Sequence, residues 1–379
     1  MMPKPSQELD QLREQGLLRQ LKPIEGAAGP RIVRNGRELW NFASNDYLGL
    51  AGHPEIKAAL IEGVERYGAG SAASRLICGS LSPHTELESA LAEAKQCEAA
   101  LSFSSGFATA MGTIPAVLGK GDHVILDKLC HACLIDAAKL SEATLRVFPH
   151  NDLGKLEKLL TDIRAKDTDS RMLVGCESVY SMDGDVCPLK EIVELCEQHG
   201  ALLLVDEAHG FGVLGPHGMG LAEQLGLQER VTFQMGTLSK AAGVSGGYLT
   251  ASRDWIDLFI NRARSFVYST APPPAIAHAA LASLKLIRSD EGKALRSQLQ
   301  QNISTLNPEA TTPILPIILG ESDAALKASA ALEEAGLLVV AMRYPTVPHG
   351  TARLRISVSA AHPSEAMQMC KKALSELVS

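Results

Sequence analysis

The chain has no apolar run of membrane length, and its first ten residues, Met1 to Asp10, hold no hydrophobic core of signal length. A spanning helix and a secretory leader are therefore not expected, and the reading is a cytoplasmic protein with no membrane partner. Basic clusters are missing too. With a net charge of −7, no nucleic acid or anionic surface is an expected partner. Internal repeats and low-complexity tracts are absent, which sets aside solenoids and disordered linkers. Aromatic residues are scarce at 4%. Cys130-x-x-Cys133 is not followed by a second pair at zinc spacing, so no metal site is expected, and the eight cysteines read as reduced thiols.

What remains is ample for a globular enzyme. The 379 residues, 46% hydrophobic and 21% charged, suffice for one large and one small domain. The 32 glycines suit an α/β protein with many strand-to-helix turns. Residues 6–22 read as an amphipathic helix, and 31–40 as a hairpin turning on Asn35-Gly36. From 54 to 285 helices alternate with continuous apolar strands at 99–103, 123–126, 172–176 and 201–205. Such strands indicate a parallel sheet covered on both faces. A helix over 189–199 ends at Gly200. After the prolines at 272–274 one long helix should run to about 303 and lead into a smaller domain. That domain holds strands at 314–319, 337–342 and 354–358, with helices at 324–335 and from Pro363. Alternation in 354–358 places one face in water or toward a site. The divisions expected are an N-terminal arm over 1–45, a large domain over 46–285 and a small C-terminal domain over 286–379.

The segment Met235-Gly236-Thr237-Leu238-Ser239-Lys240-Ala241-Ala242-Gly243 carries the chemistry. A lysine in a tight, water-poor turn can act as an amine nucleophile and hold an aldehyde as an imine. Taken alone, Lys240 is read more readily as a surface lysine in a glycine-rich loop. Three companions favour chemistry. Ser104-Ser105-Gly106-Phe107 follows a strand and opens a helix, a seat for phosphate. Asp206, with His209 three residues on, ends a buried strand where open α/β sheets bind ligands; the plain alternative is a capping aspartate. His131 lies beyond another strand edge, either as a core histidine or as a flat ring to stack on a flat cofactor. An anionic partner for a pyridinium nitrogen beside such a lysine points to pyridoxal 5′-phosphate (PLP).

Longer segments carry a family likeness. They are Asn41 to Leu50, Gly68 to Arg75, Ser178 to Asp185, Asp206 to Gly215, Gly236 to Lys240 and Tyr268 to Thr270. Through them the chain resembles the α-oxoamine synthases, PLP enzymes of the aspartate-aminotransferase fold, over nearly its whole length. The resemblance implies an α/β PLP-dependent transferase fold of type I, with a large, mainly parallel sheet and a small C-terminal α+β domain. It implies Lys240 as the cofactor-bearing lysine and proton carrier, Asp206 at the pyridinium nitrogen, His209 at the phenolic oxygen and His131 on the ring. Ser105, Gly106, Phe107 and Thr237 would hold the phosphate, with Ser181 beside the ring. Ser269 and Thr270 would reach the partner's phosphate site in a homodimer with shared sites. Arg355 would clamp the amino-acid carboxylate, while Arg19, Asn45, Arg343 and Thr346 would line the acyl side. Gly210, after the histidine, and the stretches 287–292 and 345–355 resemble the biotin-pathway branch. They imply L-alanine and pimeloyl-CoA, or a pimeloyl carrier protein, as substrates. A glycine- or serine-using sibling is the alternative.

Overall fold

The computed structural model describes residues 4–378 and divides the chain into two compact units, Asn45–Leu299 and a second formed by Met1–Ser44 with Gln300–Ser379. In chain order the strands are β1 (Arg31–Arg34), β2 (Arg37–Asn41), β3 (Ala99–Phe103), β4 (His123–Asp127), β5 (Thr144–Phe148) and β6 (Met172–Glu177). They continue with β7 (Leu202–Asp206), β8 (Phe233–Thr237), β9 (Gly247–Ala251), β10 (Ile314–Gly320), β11 (Leu337–Leu338), β12 (Val340–Met342) and β13 (Ala352–Ser357).

The larger unit is built on one seven-stranded sheet in the order β3-β9-β8-β7-β6-β4-β5. All its strands run parallel except β9, which pairs antiparallel with both β3 and β8. Strands β3, β6, β8 and β9 are buried at every residue, and the apolar runs of β4, β6 and β7 require cover on both faces. Leu101, Phe103, Leu126, Leu204, Phe233 and Leu249 share one face, packing with Phe259 and the helix Gly106–Val117. Tyr248 comes from the opposite face, and its hydroxyl leaves no room at Gly236, where a Cβ would lie 2.6 Å from it. The helix Leu189–His199 ends on Gly200 at φ 60°, as the sequence indicates.

The smaller unit has two three-stranded sheets, β1-β2-β11 and β10-β13-β12. The hairpin turns on Asn35 (φ 53°) and Gly36 (φ 70°), and the parallel pairing of β11 with β2 joins the N-terminal segment to the C-terminal one.

Several expected elements differ. The first helix covers only Pro5–Glu14, because Gly16 (φ 65°) closes it and the Leu17 amide folds back on the Leu12 carbonyl. The helix expected to reach 303 is two, Pro274–Arg288 and Asp290–Leu306, broken at Ser289. Ser289 is extended (ψ 175°), and its hydroxyl accepts from the Gly292 amide as a new helix start. The strand over 337–342 is two short strands in different sheets. Strand β13 lies between two neighbours and is buried at all six residues, so of the two expected alternatives the wet face is excluded and the face toward a site is not.

Candidate active site

The carboxyl ends of five parallel strands in the larger unit lie along one edge of the sheet, and nearly every residue with chemistry in that unit follows one of them. Across the sheet, the order is Ser105 after β3, Thr237 at the end of β8, Asp206 at the end of β7, Glu177 at the end of β6, and His131 four residues past β4. This is the edge where open α/β sheets place ligands.

The residues expected to hold a phosphate lie at the ends of β3 and β8. Ser105 is the N-cap of the helix Gly106–Val117, and its hydroxyl accepts from the Ala108 amide at 3.0 Å. The first amides of that helix, including those of Gly106 and Phe107, have no carbonyl within the helix to bond and carry its positive dipole end. A Cβ on Gly106 would lie 3.3 Å from Thr237 Cβ, so the helix start abuts the end of β8. Thr237 Oγ1 is 2.8 Å from Ser239 Oγ and donates to the Gly246 carbonyl at 2.9 Å. Gly247 has to be glycine, since a Cβ there would sit 2.4 Å from the Ser105 carbonyl. Ser269 and Thr270 line a small cavity together with Ser104 and Arg75 of the same chain.

Lys240 follows in a turn closed by the Gly243 amide on the Lys240 carbonyl (2.9 Å). Gly243 has φ 68°, and a Cβ there would be 2.3 Å from the Ala51 amide, which ties the lysine turn to the segment carrying Asn45 and Tyr47. Lys240 Nζ lies 2.8 Å from His209 Nε2, and His209 Nδ1 lies 2.6 Å from the buried Tyr47 hydroxyl. Asn45 Oδ1 is 3.2 Å from that hydroxyl. Asp46 secures the turn by accepting from the Leu50 and Ala51 amides, and burial pushes its pKa up to about 6.

Asp206 is buried, and its Oδ1 accepts from the Ala208 amide at 2.9 Å. Burial raises its pKa, with Lys240 the largest opposing influence. His131 caps the helix Ala132–Leu140, its Nδ1 accepting from the Cys133 amide. Although its side chain reaches solvent, desolvation holds its pKa below the usual imidazole range, against the pull of Asp206. Ser181 is buried in the turn between Val179 and Val186. Gly210 has a physical reason: a Cβ there would lie 2.3 Å from Glu207 Oε2 and 2.6 Å from Ser178 Oγ.

The remaining expected residues belong to the smaller unit. Arg19 Nη2 donates to Thr346 Oγ1, and Arg343 Nη2 to the Leu18 carbonyl, both at 3.3 Å, so these three side chains share one neighbourhood. Arg355 is buried on β13 and donates to Ser357 Oγ at 2.7 Å.

Two residues of the site escape a reading of residue types. Tyr47, between Ser44-Asn45-Asp46 and Leu48-Gly49-Leu50, has no local feature that hints at a histidine partner. Glu177 closes β6 as Asp206 closes β7, and the two are paired in register. Its Oε1 accepts from the His131 amide, and burial, reinforced by Asp206, raises its pKa to about 8. An acid ending an apolar strand was the signal available.

The donor set fits PLP. Helix amides and hydroxyls converge at the phosphate end, a lysine amine faces the middle, and a buried carboxylate lies on the neighbouring strand. Among the described residues no group of three His, Cys, Asp or Glu side chains is placed to hold a metal ion, and no helix is long and apolar enough to cross a membrane.

Residues 37–374 match the family described as aminotransferase class I and II. The chain is 46% identical over 380 residues to 8-amino-7-oxononanoate synthase of Geobacter sulfurreducens, covering 98% of this chain and 96% of that protein. Among solved structures it resembles serine palmitoyltransferase from S. paucimobilis with a bound PLP–myriocin adduct, at TM-score 0.91 and 30% identity over 98% of this chain and 97% of the other. It also resembles 8-amino-7-oxononanoate synthase from Francisella tularensis, at TM-score 0.76 and 28% identity, over 90% of this chain and 98% of that one.

Proposed function

We propose, on the premise that the chain belongs to the aminotransferase class I and II family and to its α-oxoamine synthase branch, that it catalyses the reaction for which its curated relatives are named. L-alanine condenses with pimeloyl-CoA, or with a pimeloyl carrier protein, and releases the thiol and carbon dioxide. The product is 8-amino-7-oxononanoate, an intermediate of biotin synthesis. The observation that carries this reading is the convergence of Lys240, Asp206 and the Ser105 helix start at one sheet edge, in a chain 46% identical to such an enzyme over nearly its full length.

PLP, the cofactor of this family, supplies an aldehyde to hold the amino acid and a protonated ring to draw electrons from its α-carbon. The chain's own residues do the rest. Lys240 Nζ takes the α-proton and returns it after decarboxylation, with His209 Nε2 at 2.8 Å to orient the amine. Asp206 would place its carboxylate at the ring nitrogen and keep that nitrogen protonated. His131 and Ser181 would flank the ring of the bound cofactor, and His209 would face its phenolic oxygen. The helix amides at Gly106 and Phe107, with Ser105 and Thr237, bind the phosphate. Arg355 is assigned the amino-acid carboxylate, and Arg19, Asn45, Arg343 and Thr346 the acyl donor. The deprotonated α-carbon attacks the thioester carbonyl, the thiolate leaves, and the amino-acid carboxylate departs as carbon dioxide. Holding both substrates in reacting geometry supplies much of the acceleration. The enzyme is a cytoplasmic homodimer in which Ser269 and Thr270 serve the partner's phosphate site.

Purified protein incubated with PLP, L-alanine and pimeloyl-CoA, with products read by mass spectrometry, tests the assignment. The amino ketone together with free CoA supports it. Free CoA without the amino ketone refutes it, and product formed only from glycine or serine moves the chain to the sibling activity.

A further inference from the structure

His150, two residues past β5, is held at both ring nitrogens by acids from different parts of the larger unit. Nδ1 lies 3.0 Å from Asp127 Oδ1, and Nε2 lies 2.6 Å from Asp185 Oδ2. A neutral imidazole has one N–H, whereas two carboxylate acceptors call for two, so this geometry describes an imidazolium. The two acids outweigh the desolvation of the ring and hold its pKa above the usual range. Tyr180 meets it edge-on, with centroids 4.4 Å apart.

Each acid is itself built into a loop. Asp127, buried at the end of β4, accepts from the Leu129 amide through Oδ1 (2.8 Å) and from the Asn151 amide through Oδ2 (2.8 Å). Four residues on stands His131. Asp185 closes the turn containing Ser181: the Tyr180 amide donates to the Asp185 carbonyl at 3.0 Å, and the Gly184 amide to the Tyr180 carbonyl at 2.8 Å. Asn151 adds a donor from Nδ2 to Asp185 Oδ2 at 3.0 Å, which also brings Nδ2 within 3.2 Å of His150 Nε2. Its backbone adopts φ 54°, a conformation Asn tolerates better than most residues.

We propose that His150 is a positioning residue. By bridging Asp127 and Asp185 it fixes, through one side chain, the two loops that present His131 and Ser181 to the ring of the cofactor. His150 acts through these loops, by its bonds to Asp127 and Asp185. The inference rests on the assignment of His131 and Ser181 as ring contacts, and not on which acyl donor the enzyme uses.

The test compares PLP-loaded wild type with His150→Gln, Asp185→Asn and His131→Ala, reading bound PLP, the induced circular dichroism of the cofactor, and kcat and KM for the amino acid. Glutamine reaches one acid but cannot bridge two. For His150→Gln we expect full PLP content, an altered induced signal and a kcat lowered roughly tenfold with KM little changed, as for small misplacement of a reacting group. Asp185→Asn, a neutral isostere on a half-exposed side chain, should give the same change in smaller measure, and it decides the question if His150→Gln does not fold. A signal moved by His131→Ala but by neither of the other variants overturns the inference alone. A signal that His131→Ala leaves unmoved overturns the ring assignment and the inference with it.

Discussion

The Tyr47 hydroxyl lies 2.6 Å from His209 Nδ1 while the other nitrogen of the same ring lies 2.8 Å from Lys240 Nζ. An imidazole bonded at both nitrogens has its tautomer and its plane set by its neighbours. Tyr47→Phe keeps the buried ring and removes only the hydroxyl. Steady-state kinetics should show kcat/KM for the amino acid falling about tenfold, the size of one lost hydrogen bond, with PLP retained. Unchanged kinetics would separate Tyr47 from the chemistry.

Ser105 caps its helix, and the proposed function gives its hydroxyl a second task at the phosphate. Ser105→Ala should cost about 1 kcal/mol of stability for the lost cap. In addition, PLP should bind more weakly by titration of the apoprotein. A thermal shift without any loss of PLP affinity would leave the residue as a cap only.

Much of this site was legible because PLP chemistry uses residue types that are conspicuous in their settings. Lys240 in a glycine-rich turn and Asp206 closing an apolar strand stand out from their surroundings, whereas Ser105 before a helix is an ordinary cap that gains meaning only beside them. Four strands of the large sheet, β3, β4, β6 and β7, were equally readable, since buried strands write continuous apolar runs; β5 with Thr144 and Arg146, β8 with Gln234 and Gly236, and β9 with Gly247 and Thr250 break that pattern and were not read as strands. What the sequence concealed depends on distant partners. Tyr47 is defined by His209, 162 positions away, and nothing local distinguishes it from a core tyrosine. The antiparallel direction of β9 is invisible in its five residues, because an apolar strand reads the same either way. The break at Ser289 was hidden by helix-forming residues on both sides. The closing of the first helix at Gly16 was missed because the leucines at 17, 18 and 21 continue the apolar stripe.

Glu177 gives a pH-dependent prediction. Its pKa is raised from 4.5 to about 8, so the folded protein holds a proton that the unfolded chain has released across that interval. Stability contributed by this group is therefore present below the unfolded value and is lost as pH rises toward 8, at up to about 1.4 kcal/mol per pH unit. Glu177→Gln should flatten the fall of Tm between pH 5 and 8 in the cofactor-free protein. An identical slope in the variant would mean that Glu177 is ionised in the fold.

Glu88 holds Arg75 bidentately at 2.8 and 2.9 Å and also accepts from the Ser102 amide and hydroxyl, with both charged side chains mostly buried. Removing one partner strands the other charge. Glu88→Ala should destabilise the larger unit by about 3 kcal/mol or more in denaturant unfolding. A loss under about 1 kcal/mol would place the pair among exposed ion pairs in its effect.

The most direct measurement is reductive trapping. Borohydride treatment of the PLP-loaded enzyme, followed by proteolysis and mass spectrometry, should place the phosphopyridoxyl label on the peptide containing Lys240, and Lys240→Ala should neither take the label nor form product. A label on another lysine, or a visible chromophore that survives the Lys240→Ala replacement, would contradict the account.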